Sequence, residues 1–195
     1  MEHLSSVLIK AGLVIVGLSI FLFVLIFYPV LKEEVNYQWK AAKAEKVEEI
    51  IPKDTLFGIV IPKIGANAVV VENVDPFDPT VYQYALTKGV AHAAGSAYPG
   101  QNGNVFLFSH SSVNFYEAQR YNSVFYLLDK LENGDEITVY FQEKPFIYKV
   151  YEKKIVSASD VQYIKGNGTG QTLTLMTCYP AGTSFKRLLV LAVLN

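Results

Sequence analysis

From Thr55 onward the chain is a succession of short runs rich in Val, Ile, Phe, Tyr and Thr, and this pattern restricts the fold more than anything else in it. The runs cover residues 56–61, 66–71, 90–93, 104–109, 136–141, 146–156, 171–178 and 188–194. Turn formers separate them: Ile64-Gly65, Pro99-Gly100, Asn102-Gly103, Asn133-Gly134-Asp135 and the loop from Gly166 to Gly170. Each run is too short for a stable helix and has the composition of a strand. Eight such strands in about 140 residues predict an all-β sandwich or closed barrel. Short helical turns are expected at 80–86 and 124–131. No repeat or low-complexity segment interrupts the series.

Ahead of this domain the chain changes character twice. Residues 11–31 carry no charge and are broken only by glycine, Ser19 and Pro29. A helix of that length would span roughly 31 Å, against a hydrocarbon core of about 30 Å. A cleavable signal has a shorter apolar core and a small-residue cleavage site, whereas this run ends in Tyr28-Pro29 with Tyr37 and Trp39 beyond. The expectation is a retained transmembrane anchor, with residues 1–10 as a short tail. Residues 32–54, rich in Ala, Lys and Glu until Pro52, predict a charged helical stalk, and 55–195 the β-domain. Lys10 alone precedes the apolar run, while Lys32, Lys40, Lys43 and Lys46 follow it. By the positive-inside rule these charges would place the β-domain in the cytoplasm.

Charge excludes one class of partner. With 17 basic and 18 acidic residues the chain has a net charge of −1, so no cationic excess is available for nucleic acid. The single cysteine, Cys178, rules out an internal disulfide. A lone cysteine is by default a small buried hydrophobe, but the position of this one argues otherwise. Alternation along 172–178 sets Leu173, Leu175 and Thr177 on one face and Thr174, Met176 and Cys178 on the other. Pro180 and Gly182 then end the strand, leaving the thiol at a strand tip beside a loop.

Arg187, one of two arginines with Arg120, opens the next run nine residues after Cys178. A hairpin would bring the two side by side, about 5 Å apart. His110 ends the run 104–109 at another strand tip. Spacing favours it over His92, and His3 precedes the apolar run. Thiol, imidazole and guanidinium together suit acyl transfer: a thiolate attacks a carbonyl, an imidazolium protonates the departing amine, and a fixed cation holds the oxyanion.

The stretch Thr174-Leu175-Met176-Thr177-Cys178 has the form T-L-x-T-C and resembles the signature of sortases. Arg187 falls where that family has its arginine, residues 104–110 resemble the strand leading into its histidine, and residues 58–64 resemble its opening strand. The likeness covers Leu56 to the C-terminus. It implies an eight-stranded closed β-barrel on an N-terminal transmembrane helix, single-pass in the cell membrane, with the catalytic domain outside. The flanking lysines point the opposite way.

The resemblance also implies a cysteine transpeptidase. It would cleave a signal similar to Leu-Pro-x-Thr-Gly on surface proteins through a thioester on Cys178, then transfer the acyl group to an amine of the cell envelope. His110 is implied as acid and base, Arg187 as oxyanion or positioning residue, and Thr177 as a contributor to the substrate groove. The sequence departs from the pattern at Ser109, where the family has glycine. Asp75-Pro76-Phe77 resembles the lid tripeptide of pilus-building members, but it follows the second strand instead of preceding the first, so it is expected to be a turn. The alternatives are a thiol peptidase using water, a pilin polymerase, or a non-catalytic envelope-binding β-domain. No cofactor or metal is expected; Glu72, Asp75 and Asp78 lack a trustworthy calcium-ligand spacing.

Overall fold

A computed structural model describes residues 9–10, 12–24, 28, 32, 35, 38–39, 50–111, 124–164, 170–181 and 183–195. The remaining parts of the tail, anchor and stalk readings, with His3, Arg120 and most of the 166–170 loop, lie outside the described residues. The chain divides into two units, Met1–Lys43 and Ala44–Asn195.

In the first unit residues 12–24 are helical. Among the described residues no helix is long and apolar enough to cross a membrane; residues 11, 25–27 and 29–31 of the expected span lie outside the described residues.

The second unit is the predicted eight-stranded barrel. Its strands are β1 (Phe57–Ile61), β2 (Ala66–Val74), β3 (Val90–Ala93), β4 (Gly103–Phe108), β5 (Glu136–Phe141), β6 (Lys144–Ser157), β7 (Gln171–Tyr179) and β8 (Lys186–Leu194). They close in the order β1-β2-β3-β4-β7-β8-β6-β5, with β5 pairing back onto β1. Closure leaves no edge strand to template aggregation. β2/β3 and β4/β7 are parallel and the other pairs antiparallel. β6 is long enough to pair with both β5 and β8, and its register on β8 slips between Val150 and Glu152. Such a bulge bends a strand, as closure requires.

The interior is filled from every strand, with Ile59, Val105, Leu107, Val139, Leu173 and Val190 among the residues at its centre. A second cluster lies on the outer face of β3, β4 and β7, beneath the helix α1 (Pro79–Leu86). It contains Ala91, Ala93, Phe106 and Phe108 with Leu86 of α1, and Met176 packs against it. β3 and β4 are therefore apolar on both faces, which is why their sequences run apolar without alternation. Asp78 caps α1, its Oδ1 accepting from the Thr80 and Val81 amides at 2.9 and 3.3 Å, and Pro79 fits the first turn, which needs no amide donor.

Asn104 ties this face together. Its Nδ2 donates to the Tyr163 and Ile164 carbonyls at 3.0 and 3.3 Å, and its Oδ1 accepts from the Thr172 and Thr174 hydroxyls, both at 3.0 Å. One buried amide thus joins β4, β7 and the 3-10 turn Val161–Ile164. Asn104→Ala removes four hydrogen bonds at this junction, leaves the buried Thr174 hydroxyl without this acceptor, and is expected to cost about 2–4 kcal/mol. A urea denaturation midpoint equal to wild type would contradict that.

Candidate active site

Three connections in the barrel deliver the site. β4 and β7 run parallel in register, with Phe108 beside Met176. The pairing continues past the end of β4: the Ser109 amide donates to the Met176 carbonyl at 3.2 Å, and the Thr177 hydroxyl donates to the Ser109 carbonyl at 2.9 Å. These two bonds carry His110 to the level of Cys178. On the other side β7 and β8 are antiparallel, and Cys178 is the register partner of Arg187. Directly opposed residues on such a pair share a face, their Cβ atoms about 5 Å apart. His110, Cys178 and Arg187 are each half-buried, and all three line one groove of about 620 Å³.

Alternation along β7 explains why the thiol meets the groove. Leu173 and Leu175 point into the barrel, and Met176 packs on the outer cluster beneath α1. Cys178 follows Met176 on the outer face, at the end of the strand where the covering elements stop. Thr177, expected to shape the groove, does border it; only 3% exposed, it uses its hydroxyl on the Ser109 carbonyl. In this position it holds the segment that carries His110. Ser109, where glycine was expected, is buried and contributes backbone groups to the same junction.

Arg187 is anchored to its own loop. Its Nη1 donates to the Ser184 carbonyl at 3.1 Å and to the Lys186 carbonyl at 3.0 Å. A guanidinium carries five N–H donors in a rigid fork, so one nitrogen can fix the group while the other edge binds a ligand oxygen.

His92 stands apart from this groove. It is 1% exposed, packed against the rings of Phe57 and Tyr98 at 5.5 and 4.7 Å. Its Nε2 lies 3.0 Å from the Ala97 carbonyl, and its Nδ1 accepts from the Asn73 amide at 3.4 Å. These partners fit a neutral ring protonated on Nε2. Burial pushes its pKa below the usual histidine value, against the smaller opposing effects of the Ala97 hydrogen bond and the Glu72 charge.

The sequence reading did not find the walls of the groove. Asp75-Pro76-Phe77 is the expected turn, with Asp75 Oδ1 accepting from the Phe77 amide at 2.8 Å. Pro76 and Phe77 also border the groove, and Phe77 is 66% exposed. Tyr82 and Leu86 of α1, Val161 and Ile164, and Phe185 of the β7–β8 loop complete it. The available signal was a large aromatic placed in a turn, where no core exists to receive it. Among the described residues no three His, Cys, Asp or Glu side chains are grouped to hold a metal ion. Asp75 and Asp78 are engaged instead in the turn and the helix cap.

Comparison with known proteins agrees with the fold. The model of the Sortase domain matches residues 59–195. Sortase D of Bacillus subtilis (strain 168) is 32% identical over 133 residues, 67% of this chain and 59% of that protein, so the match spans about three fifths of that relative's length. A Sortase D5 transpeptidase from Clostridium perfringens superimposes with a TM-score of 0.58 at 28% identity, covering 87% of this chain and 95% of that one. Sortase A from Corynebacterium diphtheriae, as a lid mutant, gives a TM-score of 0.60 at 25% identity, covering 73% and 70%.

Proposed function

The chain belongs to the sortase family, and from that premise we propose that it is a cysteine transpeptidase that joins surface proteins to an amine of the cell envelope. The observation that carries this reading is the register: Cys178 opposite Arg187, with His110 brought alongside by the β4–β7 pairing, all facing one groove.

In the first step the Cys178 thiolate attacks the carbonyl of a sorting signal similar to Leu-Pro-x-Thr-Gly, between Thr and Gly. The tetrahedral oxyanion is held by the Arg187 guanidinium. As the C–N bond breaks, His110 passes its proton to the departing amine, leaving a thioester. In the second step the neutral imidazole takes a proton from the incoming amine as it attacks the thioester. Collapse of the second intermediate returns the sulfur as thiolate beside a reprotonated imidazole, and the cycle is balanced. The uncharged run 11–31 supports attachment of this domain to the cell membrane, and the family resemblance supports an extracytoplasmic site.

The decisive test incubates residues 50–195 with a library of Leu-Pro-x-Thr-Gly variants and looks by mass spectrometry for an acyl adduct on Cys178. Absence of any adduct across the library would remove the transpeptidase reading. A product spectrum unchanged by added amine would convert it to a thiol peptidase.

Arg187→Ala is expected to lower kcat/KM by roughly 10²–10³-fold, the scale of losing one oxyanion donor. Arg187→Lys should recover only part of this, because an ammonium cannot hold the Ser184 and Lys186 carbonyls and an oxyanion in the geometry of a planar fork. Equal rates for both variants and wild type would place the oxyanion elsewhere.

A further inference from the structure

Among the described residues that border the groove, one carries a carboxylate, Asp160, and it is exposed. It belongs to the turn that leaves β6 at Ser157. Its Oδ2 accepts from the Ser157 amide at 2.9 Å, and its own amide donates to the Ser157 carbonyl at 3.2 Å. That task takes one oxygen and no charge, and asparagine or serine also performs it in turns. The second oxygen and the negative charge are surplus to the turn, for among the described residues no lysine or arginine lies within ion-pair distance of Asp160. Strand register says where that charge sits. Cys178, Arg187 and Val156 form one row across β7, β8 and β6. Neighbouring strands are about 4.8 Å apart, so the turn starts about 10 Å across the sheet from the nucleophile. Ala158 and Val161, on either side of Asp160, border the same groove. Arg187, the cation of that row, is tied to the Ser184 and Lys186 carbonyls.

A Leu-Pro-x-Thr-Gly signal leaves one position open for such a charge to read. With the Thr carbonyl at Cys178, the Cα of x stands about 5 Å back along the peptide. The four-carbon stem of a lysine adds roughly 6 Å, enough to reach the turn. We infer that Asp160 is a specificity-determining residue for the acyl half-reaction, selecting sorting signals with Lys or Arg at x and disfavouring Asp or Glu there. This rests on the transpeptidase reading above, and the experiment separates the two.

The full-length chain is offered Leu-Pro-Lys-Thr-Gly, Leu-Pro-Gln-Thr-Gly and Leu-Pro-Glu-Thr-Gly peptides in pairwise competition, and the products are counted by mass spectrometry. The ratio of products gives the ratio of kcat/KM values and is internal to each enzyme. At low salt wild type is expected to prefer Lys over Glu by roughly five- to tenfold, the scale of attraction to one exposed charge against repulsion by it, with Gln between. At about 1 M salt the preference should shrink towards unity, as screening requires. Asp160→Asn keeps an oxygen for the Ser157 amide and should lose the preference, and Asp160→Lys should reverse it. Equal use of the Lys and Glu peptides by wild type at low salt would overturn the inference, as would a preference that Asp160→Asn leaves unchanged. Either result would leave the enzyme reading intact, because an acyl-enzyme still forms. If Asp160→Asn does not fold, Asp160→Ser carries the same comparison, and a wild-type preference indifferent to salt overturns the inference equally. Failure of wild type to form an acyl-enzyme with any of these peptides would overturn both.

Discussion

Cys178→Ala is expected to abolish acyl-enzyme formation while leaving the barrel as stable as wild type. The chemistry has no substitute, because Cys178 is the only cysteine in the chain and an alanine methyl cannot form a thioester. The fold loses little. Cys178 is half-buried on the outer face at the end of β7 and belongs to neither apolar cluster, so removing its sulfur opens no cavity in the core. The thermal midpoint should therefore stay within about 2 °C, and the intact mass of the variant after incubation with substrate should show no added acyl group. Any residual peptide cleavage should be faint, the part that groove binding alone can supply. Full turnover in Cys178→Ala would show that sulfur is not the nucleophile and end the acyl-transfer mechanism. Collapse of the fold instead would mean that the cysteine has a packing role this structure does not give it.

What could be read beforehand follows from how local each determinant is. The turns at Gly65, Gly100, Gly103 and Gly134 were legible because each glycine adopts positive φ, between 64° and 126°, where a side chain is strained. β3 and β5 matched their predicted bounds, since Gly89 and Gly134 sit just before them. β2 runs on to Val74 past the predicted end at 71, because its polar Glu72-Asn73 step interrupts the apolar pattern without ending the pairing on β3. The β5–β6 hairpin carried no usual signal: Gln142 and Glu143 take φ of 50° and 65° with neither Asn nor Gly. There the closed sheet fixes the turn, not the turn residues.

Topology was less accessible still. Nothing local tells β4 to lie parallel to β7, with Asn104 beside Thr172, since that contact is made by burial on both faces and by the Asn104 network. The juxtaposition of Cys178 with Arg187 was legible from the hairpin alone. The approach of His110 to Cys178 was not, because it depends on the parallel pairing. The groove walls were invisible for the same reason: Phe77, Val161 and Phe185 are distant in sequence and meet only around the outer face.

The two histidines of the barrel give the other large effect, and their contrast separates chemistry from packing. His110→Ala is expected to reduce kcat/KM by at least about 10³-fold, toward the upper range for losing a general acid and base, because one imidazole serves both half-reactions. His92→Ala should retain near wild-type activity per folded molecule but lose stability, since its ring fills a buried site and bonds Ala97 and Asn73. The pH dependence carries an independent sign. The pKa of His92 is lowered in the folded state, so between that value and the ordinary histidine value near 6.5 the unfolded chain binds more protons and stability rises with pH. Its contribution is complete above about pH 6.5 and is lost as pH falls through the folded pKa. Thermal midpoints measured between about pH 7 and 5 should therefore fall less steeply for His92→Gln than for wild type. If His92→Ala instead matched His110→Ala in lost activity at unchanged stability, the acid and base would lie inside the barrel end, and the groove at Cys178 would have to be reached from there.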